Sequence, residues 1–403
     1  MKLTYAIAGL VAIGGIAAAC SNRGAADPDP RPWAEVLAED GLAAAERNLE
    51  SQTETPETGF LLGGVRFLRA QEVILQIRYA NHSGSLAFLP GMRAELPANM
   101  DGAFDPAFLE RAMAAGLRHL GEAEAALEAA AEGEFAAEVP LDAIWFDIDL
   151  DGERAEWESL FAIMGGLGAA PEDGFDGVIR FDTADADWLA AYVHVMSGMA
   201  ELTLALDPTP AIEAVFEGRQ TMEAFGPVQG TGFVGDDTLP DTIAAVVTTF
   251  RGVPDAARTR AAHAHFKQMI AHNRAFWSKV AAETDNDREW LPNASQTSAF
   301  GVTVDEETAQ GWQDVLTEIE AILDGEALVP YWRVSNEFGV EEGVGINIRK
   351  VFENPGDMDL ILWVQGAAAA PYLERGRLAN LEAWNRFTTM TRGDSLMLAA
   401  WFN

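Results

Sequence analysis

The sequence predicts an α+β fold, with a mainly helical region over the first two-thirds of the chain and an antiparallel sheet with helices after it. Apolar residues recur at helical spacing in several long segments before residue 290. After residue 325, short apolar or alternating segments follow one another, as is typical of strands. A short apolar segment at 139–146, directly before an acidic stretch, adds a small β-containing unit in the middle of the chain.

Six helices are predicted in the helical region. Asp105 followed by Pro106 is a typical helix start, and Gly133 a typical stop. The first predicted helix begins at Trp33. The other five are residues 60–77, 105–133, 153–164, 184–206 and 255–283. Gly-rich residues 229–235 lack the Lys-Ser/Thr of a phosphate-binding loop, so they predict a plain loop.

The last third is predicted to contain four strands and two helices. A capping pattern, Thr303 with Glu306, opens a helix that Gly325 ends. The continuous apolar run at 360–364 is typical of a central strand covered on both faces. The predicted strands are residues 328–334, 345–352, 358–364 and 396–402, with a helix at about 378–390.

Composition and punctuation divide the chain further. A polar stretch with Pro292 predicts a boundary between a mostly helical domain at 33–290 and an α+β domain at 300–403. Residues 20–32 are a Pro-rich tether, and residues 1–19 have the charged start, apolar run and small residues of a secretory signal peptide.

Cys20 is the single cysteine and directly follows three alanines. This arrangement resembles the lipobox of bacterial lipoproteins, which implies that Cys20 is acylated and anchors the chain to a membrane. Ser21-Asn22 then favours the outer membrane, with the protein facing the periplasm or the cell surface. The alternative is ordinary signal cleavage that leaves a free thiol.

The chain is strongly acidic. It has 63 Asp and Glu against 27 Lys and Arg, a net charge of −36, with the acids spread along its length. This charge excludes binding to nucleic acid through phosphates and favours a solvated surface that attracts cations. A single cysteine allows no internal disulfide, so bound metal and core packing are expected to provide rigidity.

Residues 147–158 have the spacing of a calcium-binding loop. Asp147, Asp149 and Asp151 occupy positions 1, 3 and 5, a glycine occupies position 6, and Glu158 occupies position 12. The expected ligands are these four carboxylates and the carbonyl of Glu153. Arg154 and Ala155 depart from the EF-hand pattern, and the predicted entrance is a strand instead of a helix. The sequence therefore predicts an EF-hand-like calcium loop.

Asp182 is a possible additional ligand. The order strand, helix, strand over residues 139–182 suggests parallel strands, both ending in Phe-Asp, which would place Asp182 beside Asp147. The alternative is that Asp182 caps the following helix together with Asp185.

The helix at 184–206 carries a polar stripe of Asp187, His194 and Glu201, seven residues apart. Small residues beside it allow a second element to approach closely, so His194 is a candidate for proton transfer between acids. The stripe could equally be a solvated edge. Its members lie about 10.5 Å apart along the axis, too far for one compact triad.

Three histidines of the next long helix, at 263, 265 and 272, are candidate zinc ligands. Their spacing differs from the four residues that place two histidines on one metal, so they are expected to diverge. His265 and His272 also share a face with Lys279 and Glu283, which predicts exposure to solvent.

Several of these segments together suggest a family. The motif Phe181-Asp182-x-Ala184-Asp185-x-x-Trp188-Leu189-x-x-Tyr192-x-His194, the Asp-rich loop and Pro371-Tyr372-Leu373-Glu374 resemble a group of bacterial secreted proteins and lipoproteins of unassigned role. The resemblance implies no activity.

Two functions are consistent with the sequence. The first is a calcium-binding, lipid-anchored envelope protein that acts as a binding or structural module for an envelope protein or glycan. The second is an extracytoplasmic hydrolase of glycans or peptides that uses His194 with acids such as Asp182, Asp187, Glu201 or Glu374 and is stabilised by calcium. An open cleft where His194 and two acids converge would favour the hydrolase.

Overall fold

The computed structural model describes residues 29–81, 94, 96–99, 103–131, 133–165, 175, 177–226, 239–301, 303–334, 341–391 and 402. The predicted signal peptide, Cys20 and the glycine-rich segment 229–235 lie outside these residues. So does the predicted strand at 396–402, except for Phe402. The described residues form a mainly helical protein with a two-stranded sheet in mid-chain and a three-stranded antiparallel sheet with helices near the C-terminus, as predicted.

The helices and strands follow one another in this order: α1 Trp33–Asp40, α2 Leu42–Glu50, α3 Pro56–Ala80, α4 Phe108–Ala131, β1 Ala136–Pro140, α5 Leu160–Gly165, β2 Val178–Asp182, α6 Thr183–Leu206, α7 Thr209–Glu223, α8 Leu239–Thr249, α9 Ala256–Val280, α10 Glu306–Leu323, β3 Val329–Pro330, β4 Glu342–Ile346, α11 Ile348–Glu353, α12 Leu360–Gln365, β5 Leu373–Arg377 and α13 Glu382–Met390.

Four long helices, α3, α4, α6 and α9, form the centre of the molecule. The closest packing is between α6 and α9, between α3 and α4, and between α4 and α6. Glycine permits some of this approach: a Cβ on Gly63 of α3 would lie 2.6 Å from Leu127 of α4. α6 is also long and apolar enough to pass for a membrane span, but 61% of its most apolar window is buried inside the protein, as in a core helix.

The hydrophobic core continues from these helices into the C-terminal part. One cluster contains Phe60 of α3, Phe276 of α9, Trp312 of α10 and Phe402. It also includes Trp290, so apolar packing runs through the segment predicted as a domain boundary. The division into two domains remains a prediction.

The mid-chain sheet differs from the predicted crossover unit. β1 and β2 are antiparallel, and Ala136 pairs with Asp182 while Pro140 pairs with Val178. The prediction of parallel strands was wrong because a parallel return needs a crossover, usually a long helix that packs on the sheet. Between the two strands the described residues contain only 3-10 turns at Leu141–Ala143 and Glu156–Glu158 and the six-residue α5. The acidic loop therefore lies within a long connection at one end of an antiparallel pair.

Two neighbouring elements are also shorter than predicted. The strand expected at 139–146 ends at Pro140, and beyond it Trp145 makes only an isolated bridge to Ser159. The helix expected at 153–164 is replaced by a 3-10 turn followed by α5.

The C-terminal sheet has the order β3-β4-β5. The predicted strand at 358–364 is wrong, since these residues contain α12. The Asp359 side chain caps this helix by accepting from the backbone N–H groups of Ile361 and Leu362, and Gly366 with φ +114° ends it. The segment predicted as a strand at 345–352 is instead the end of β4 followed by α11, which Asn347 caps. The edge strand β5 was missed because charged residues interrupt its apolar pattern.

Candidate metal-binding sites

The acidic loop, residues 147–158, gathers three carboxylates. Asp147, Asp149 and Asp151 each place one carboxylate oxygen within 4.8 Å of the other two. The turn bends at Gly152, whose φ is +75°, and its backbone N–H donates to Asp147 Oδ1 at 3.2 Å. The N–H of Glu153 donates to Asp151 Oδ1 at 2.7 Å. Backbone N–H groups of the loop thus hydrogen-bond to the carboxylates of the cluster.

Glu158 has a different part in this conformation. It is fully buried, Oε1 accepts from the backbone N–H of Ile148 at 2.7 Å, and Oε2 accepts from that of Ala155 at 3.0 Å. Burial raises the pKa of the Glu158 carboxyl, and these amide hydrogen bonds partly oppose the rise. Glu158 therefore ties the beginning of the loop to its end, while the three aspartates form the cluster.

Helix α3 supports the first residue of the loop. Glu72, 1% exposed, accepts from the backbone N–H of Asp147 at 2.9 Å, and Gln76 donates to the Asp147 carbonyl at 2.7 Å. Glu72 also pairs with Arg69. Sequence reasoning missed Glu72 and Gln76. The available signal was an acid and an amide four residues apart on one face of the helix.

Asp182 lies away from the acidic loop. It pairs with Ala136 at the end of the sheet opposite to the connection that contains the loop. Its side chain accepts from the N–H of Ala184 at 2.8 Å, and Asp185 accepts in return from the N–H of Asp182 at 2.9 Å. The capping alternative is confirmed, and the expectation that Asp182 lies beside Asp147 is wrong because the strands are antiparallel.

The polar stripe of α6 faces a matching stripe of α9. The two helices are antiparallel, and each places a charged or imidazole side chain toward the other every seven residues. We call these residues the polar seam: Asp187, His194 and Glu201 of α6 with Arg258, His265, His272 and Lys279 of α9. The structure therefore places the stripe of α6 inside the molecule, against a second helix.

His194 lies at the centre of the polar seam and is 3% exposed. Its Nδ1 is 2.9 Å from Nδ1 of His265, and its ring stacks on His272 with the ring centroids 5.3 Å apart. On its other side, Nε2 is 3.8 Å from Oε1 of Glu124 of α4. Burial lowers the pKa of His194 to about 3, with further lowering from His265 and His272, so this imidazole is neutral at pH 7.

The two acids of the seam are both engaged. Asp187 accepts from His272 Nδ1 at 2.8 Å and contacts Lys279 Nζ at 2.6 Å. Burial raises the pKa of Asp187, but these two partners outweigh burial and hold it below its usual value. Glu201 pairs with Arg258 at 2.8 Å. As expected from their spacing, the three residues of α6 do not form one triad.

Of the three histidines of α9, only His263 diverges from the others as predicted, and the expected exposure of His265 and His272 is wrong. His263 turns to α10, where Nε2 is 2.8 Å from the Leu323 carbonyl. His265 and His272 instead pack against His194 and are partly buried. Glu124, which sequence reasoning missed, joins them from α4. For His265 and His272, the available signal was the seven-residue spacing that α9 shares with α6.

Comparison of the chain with protein-family models, with curated proteins and with solved structures gives no match. The resemblance to bacterial secreted proteins and lipoproteins thus remains an expectation.

Proposed function

We propose that this protein is a calcium-binding module of the bacterial cell envelope, anchored by a lipid on Cys20. The observation that carries the proposal is the convergence of Asp147, Asp149 and Asp151 within 4.8 Å in a turn whose spacing is that of a calcium loop. Three carboxylates held together without a cation repel one another, and a bound cation would remove that cost.

The surroundings of the loop support a rigid ion-binding role. Glu72 and Gln76 fix the backbone at Asp147, and Glu158 joins the two ends of the loop. Hard oxygen ligands suit calcium. The proposed ligands are the three aspartates with the Glu153 carbonyl, and Glu158 would join them by exchanging its amide hydrogen bonds for the ion. The proposed role is binding or structural, because calcium here would stabilise the connection between β1 and β2.

The envelope location rests on the sequence alone. Cys20 and the preceding signal-like segment lie outside the described residues. The proposal for the anchor therefore depends on the lipobox-like order of Ala17, Ala18, Ala19 and Cys20, and an outer-membrane lipoprotein facing the periplasm or the cell surface is its consequence.

The alternative of a hydrolase centred on His194 gains no support from the geometry. His194 is 3% exposed, and its neighbours Asp187 and Glu201 are engaged by His272, Lys279 and Arg258. Glu374 likewise pairs with Lys350 and accepts from Asn347. A buried His194, with Asp187 and Glu201 already paired to other residues, favours the binding role over general acid-base chemistry.

The test is calcium-dependent stability. After treatment with EDTA, adding calcium to the purified protein is expected to raise its melting temperature. Saturation at 100 times the dissociation constant stabilises the fold by about 2.7 kcal/mol, or about 3 °C for a chain of this size. The Asp149→Ala variant is expected to lose this shift, because one of three converging oxygens is gone.

Glu156→Ala is the matched control. Glu156 is an exposed acid of the same loop whose carboxylate is outside the cluster, so the charge change is equal and the calcium shift should remain. A melting temperature that does not respond to millimolar calcium, or an equal loss in both variants, would refute the calcium site.

A further inference from the structure

We propose a second metal site, for a divalent transition metal ion such as zinc, formed by Glu124, His194 and His265 where α4, α6 and α9 meet. One ligand atom from each of the three side chains lies within 4.8 Å of the other two. This site shares no ligand with the acidic loop and does not depend on calcium binding there. It goes beyond the proposed function because its donors select a different class of ion.

The donor set carries the choice of metal. Two imidazole nitrogens and one carboxylate oxygen suit zinc and related ions, whereas calcium takes oxygen ligands only. Metal sites in helix bundles are built in this way, from side chains that face one another on neighbouring helices. A set of two histidines and one glutamate leaves a coordination position for water or another ligand.

The two imidazoles already face each other closely, and a metal would replace the hydrogen bond between them. His194 Nδ1 and His265 Nδ1 face each other at 2.9 Å, so of these two nitrogens one must donate and the other accept. His194 is 3% exposed, and its Nε2 is directed toward the Glu124 carboxylate at 3.8 Å. A cation that binds one nitrogen of each ring and an oxygen of Glu124 would give the carboxylate a charged partner and each imidazole a ligand bond.

The geometry needs only a small adjustment. Zinc–nitrogen bonds of about 2.0–2.1 Å place neighbouring ligand atoms of a tetrahedral site about 3.3 Å apart. The imidazole pair is within a few tenths of an ångström of that spacing. Glu124 is the ligand that has to move further. Its Oε1 lies 3.8 Å from His194 Nε2, whereas Nδ1 is the nitrogen that faces His265, and the Glu124 side chain, 31% exposed, is free to swing toward the pair.

The neighbouring residues hold the rings and offer an entrance. His272 stacks on His194, and Asp187 fixes the His272 ring through Nδ1 at 2.8 Å. His272 and Asp187 are thus positioning residues in this site. Glu124 and His265 are only partly buried, so an ion can enter from their side without unfolding the core.

Zinc uptake by the purified protein tests the proposal. After removal of metals and dialysis against zinc chloride, about one zinc ion per chain is expected at this site. Zinc binding here should raise the melting temperature, and calcium should not bind to these residues. His265→Ala is expected to abolish this uptake, and Glu124→Gln to weaken zinc affinity by at least about tenfold. Cobalt in place of zinc should give a visible absorption band that both variants lose or shift.

Two histidine variants serve as controls. His263→Ala removes a histidine of the same helix that faces α10, and it should keep full zinc uptake. His119→Ala disrupts another group of possible ligands, Glu46, His119 and Glu122, and should also keep the ion assigned to His265. Since His265 and Glu124 are partly exposed, folding of their variants is checked by the melting temperature in chelator.

Absence of zinc uptake, or uptake that His265→Ala and Glu124→Gln leave unchanged, would overturn the proposal. Loss of uptake in His119→Ala with retention in His265→Ala would overturn it as well. None of these outcomes bears on the calcium titration, which reads a different variant and a different ion.

Discussion

The acidic loop and the polar seam both bring charged groups together, but in opposite surroundings. In the loop, three acids repel one another at the surface, and their backbone N–H donors come from the loop itself. In the seam, acids, imidazoles and cations alternate between two packed helices and satisfy one another. The three acids of the loop thus face one another, whereas most charges of the seam face an oppositely charged or hydrogen-bonding partner within the protein. At the centre of the seam, His194 and His265 instead pair with each other, and the carboxylate of Glu124 from α4 faces His194.

The largest difference is expected between Asp187→Ala and Asp149→Ala in metal-free protein. Asp187→Ala leaves His272 and Lys279 without their acid in a mostly buried place and should lower the free energy of unfolding by about 2–3 kcal/mol. This figure is below that of a fully buried pair because Lys279 is 35% exposed and can reach water. Asp149→Ala removes one local hydrogen-bond acceptor and one repelling charge, so the loss should be below about 1 kcal/mol.

Urea unfolding in the presence of EDTA measures both losses. Asp187→Asn is the informative intermediate, because its amide oxygen can still accept from His272 while the charge that pairs with Lys279 is gone. It should fall between the wild type and Asp187→Ala. Equal losses at Asp149 and Asp187 would mean that the two regions do not differ in the way described.

The sequence predicted the parts of this comparison that depend on spacing within one element. Apolar residues at helical spacing identified α4, α6 and α9, and the spacing of Asp147, Asp149 and Asp151 identified the loop. Both are local patterns, in which one residue's position along the chain determines its position in space.

What the sequence did not predict depends on pairing between elements. The seven-residue stripe of α6 has its partner in α9, but His265 and His272 looked solvated beside Lys279 and Glu283. The direction of strand pairing was predicted wrongly for the same reason, because the residue pattern of β2 is compatible with parallel or antiparallel pairing. The apolar run at 360–364 was short enough to fit a strand or a helix, and the caps at Asp359 and Gly366 decided for the helix.

A pair of glycines tests the packing side of the comparison. Gly198 of α6 faces the neighbouring helix, and a Cβ there would lie 2.7 Å from the ring of Phe266. Gly198→Ala is therefore expected to cost about 1–3 kcal/mol by forcing the two helices apart. Gly152 has φ +75° with nothing within 4 Å of a Cβ, so Gly152→Ala should cost only about 1 kcal/mol of backbone strain.

Metal binding distinguishes the two glycine variants further. Gly152→Ala should weaken the calcium-dependent shift, because it disturbs the turn whose N–H donates to Asp147. Gly198→Ala should leave the calcium shift intact and reduce zinc uptake, because α6 carries His194. Thermal melts in EDTA, calcium and zinc measure all of this, and a calcium shift lost in Gly198→Ala would contradict the separation of the two regions.

The last expected effect is a dependence of stability on pH, which has opposite signs at the two regions. The folded pKa of His194, about 3, lies below its ordinary value of 6.5. Its contribution to stability is therefore fully present above pH 6.5 and is lost as the pH falls toward 3, by about 1 kcal/mol over the first unit. Burial raises the pKa of Glu158, so its contribution is present below its ordinary value of 4.5 and is lost as the pH rises through the folded value.

Two variants test this pH dependence in metal-free protein. His194→Gln is expected to reduce the loss of stability on acidification from pH 6.5 to about pH 5.5. Glu158→Gln is expected to reduce the loss of stability as the pH rises through the folded pKa of Glu158. The slope is the readout, because both substitutions also alter hydrogen bonds and so shift stability at every pH. If His194→Gln keeps the wild-type slope on acidification, His194 is not the buried, neutral imidazole on which the difference between the seam and the loop rests.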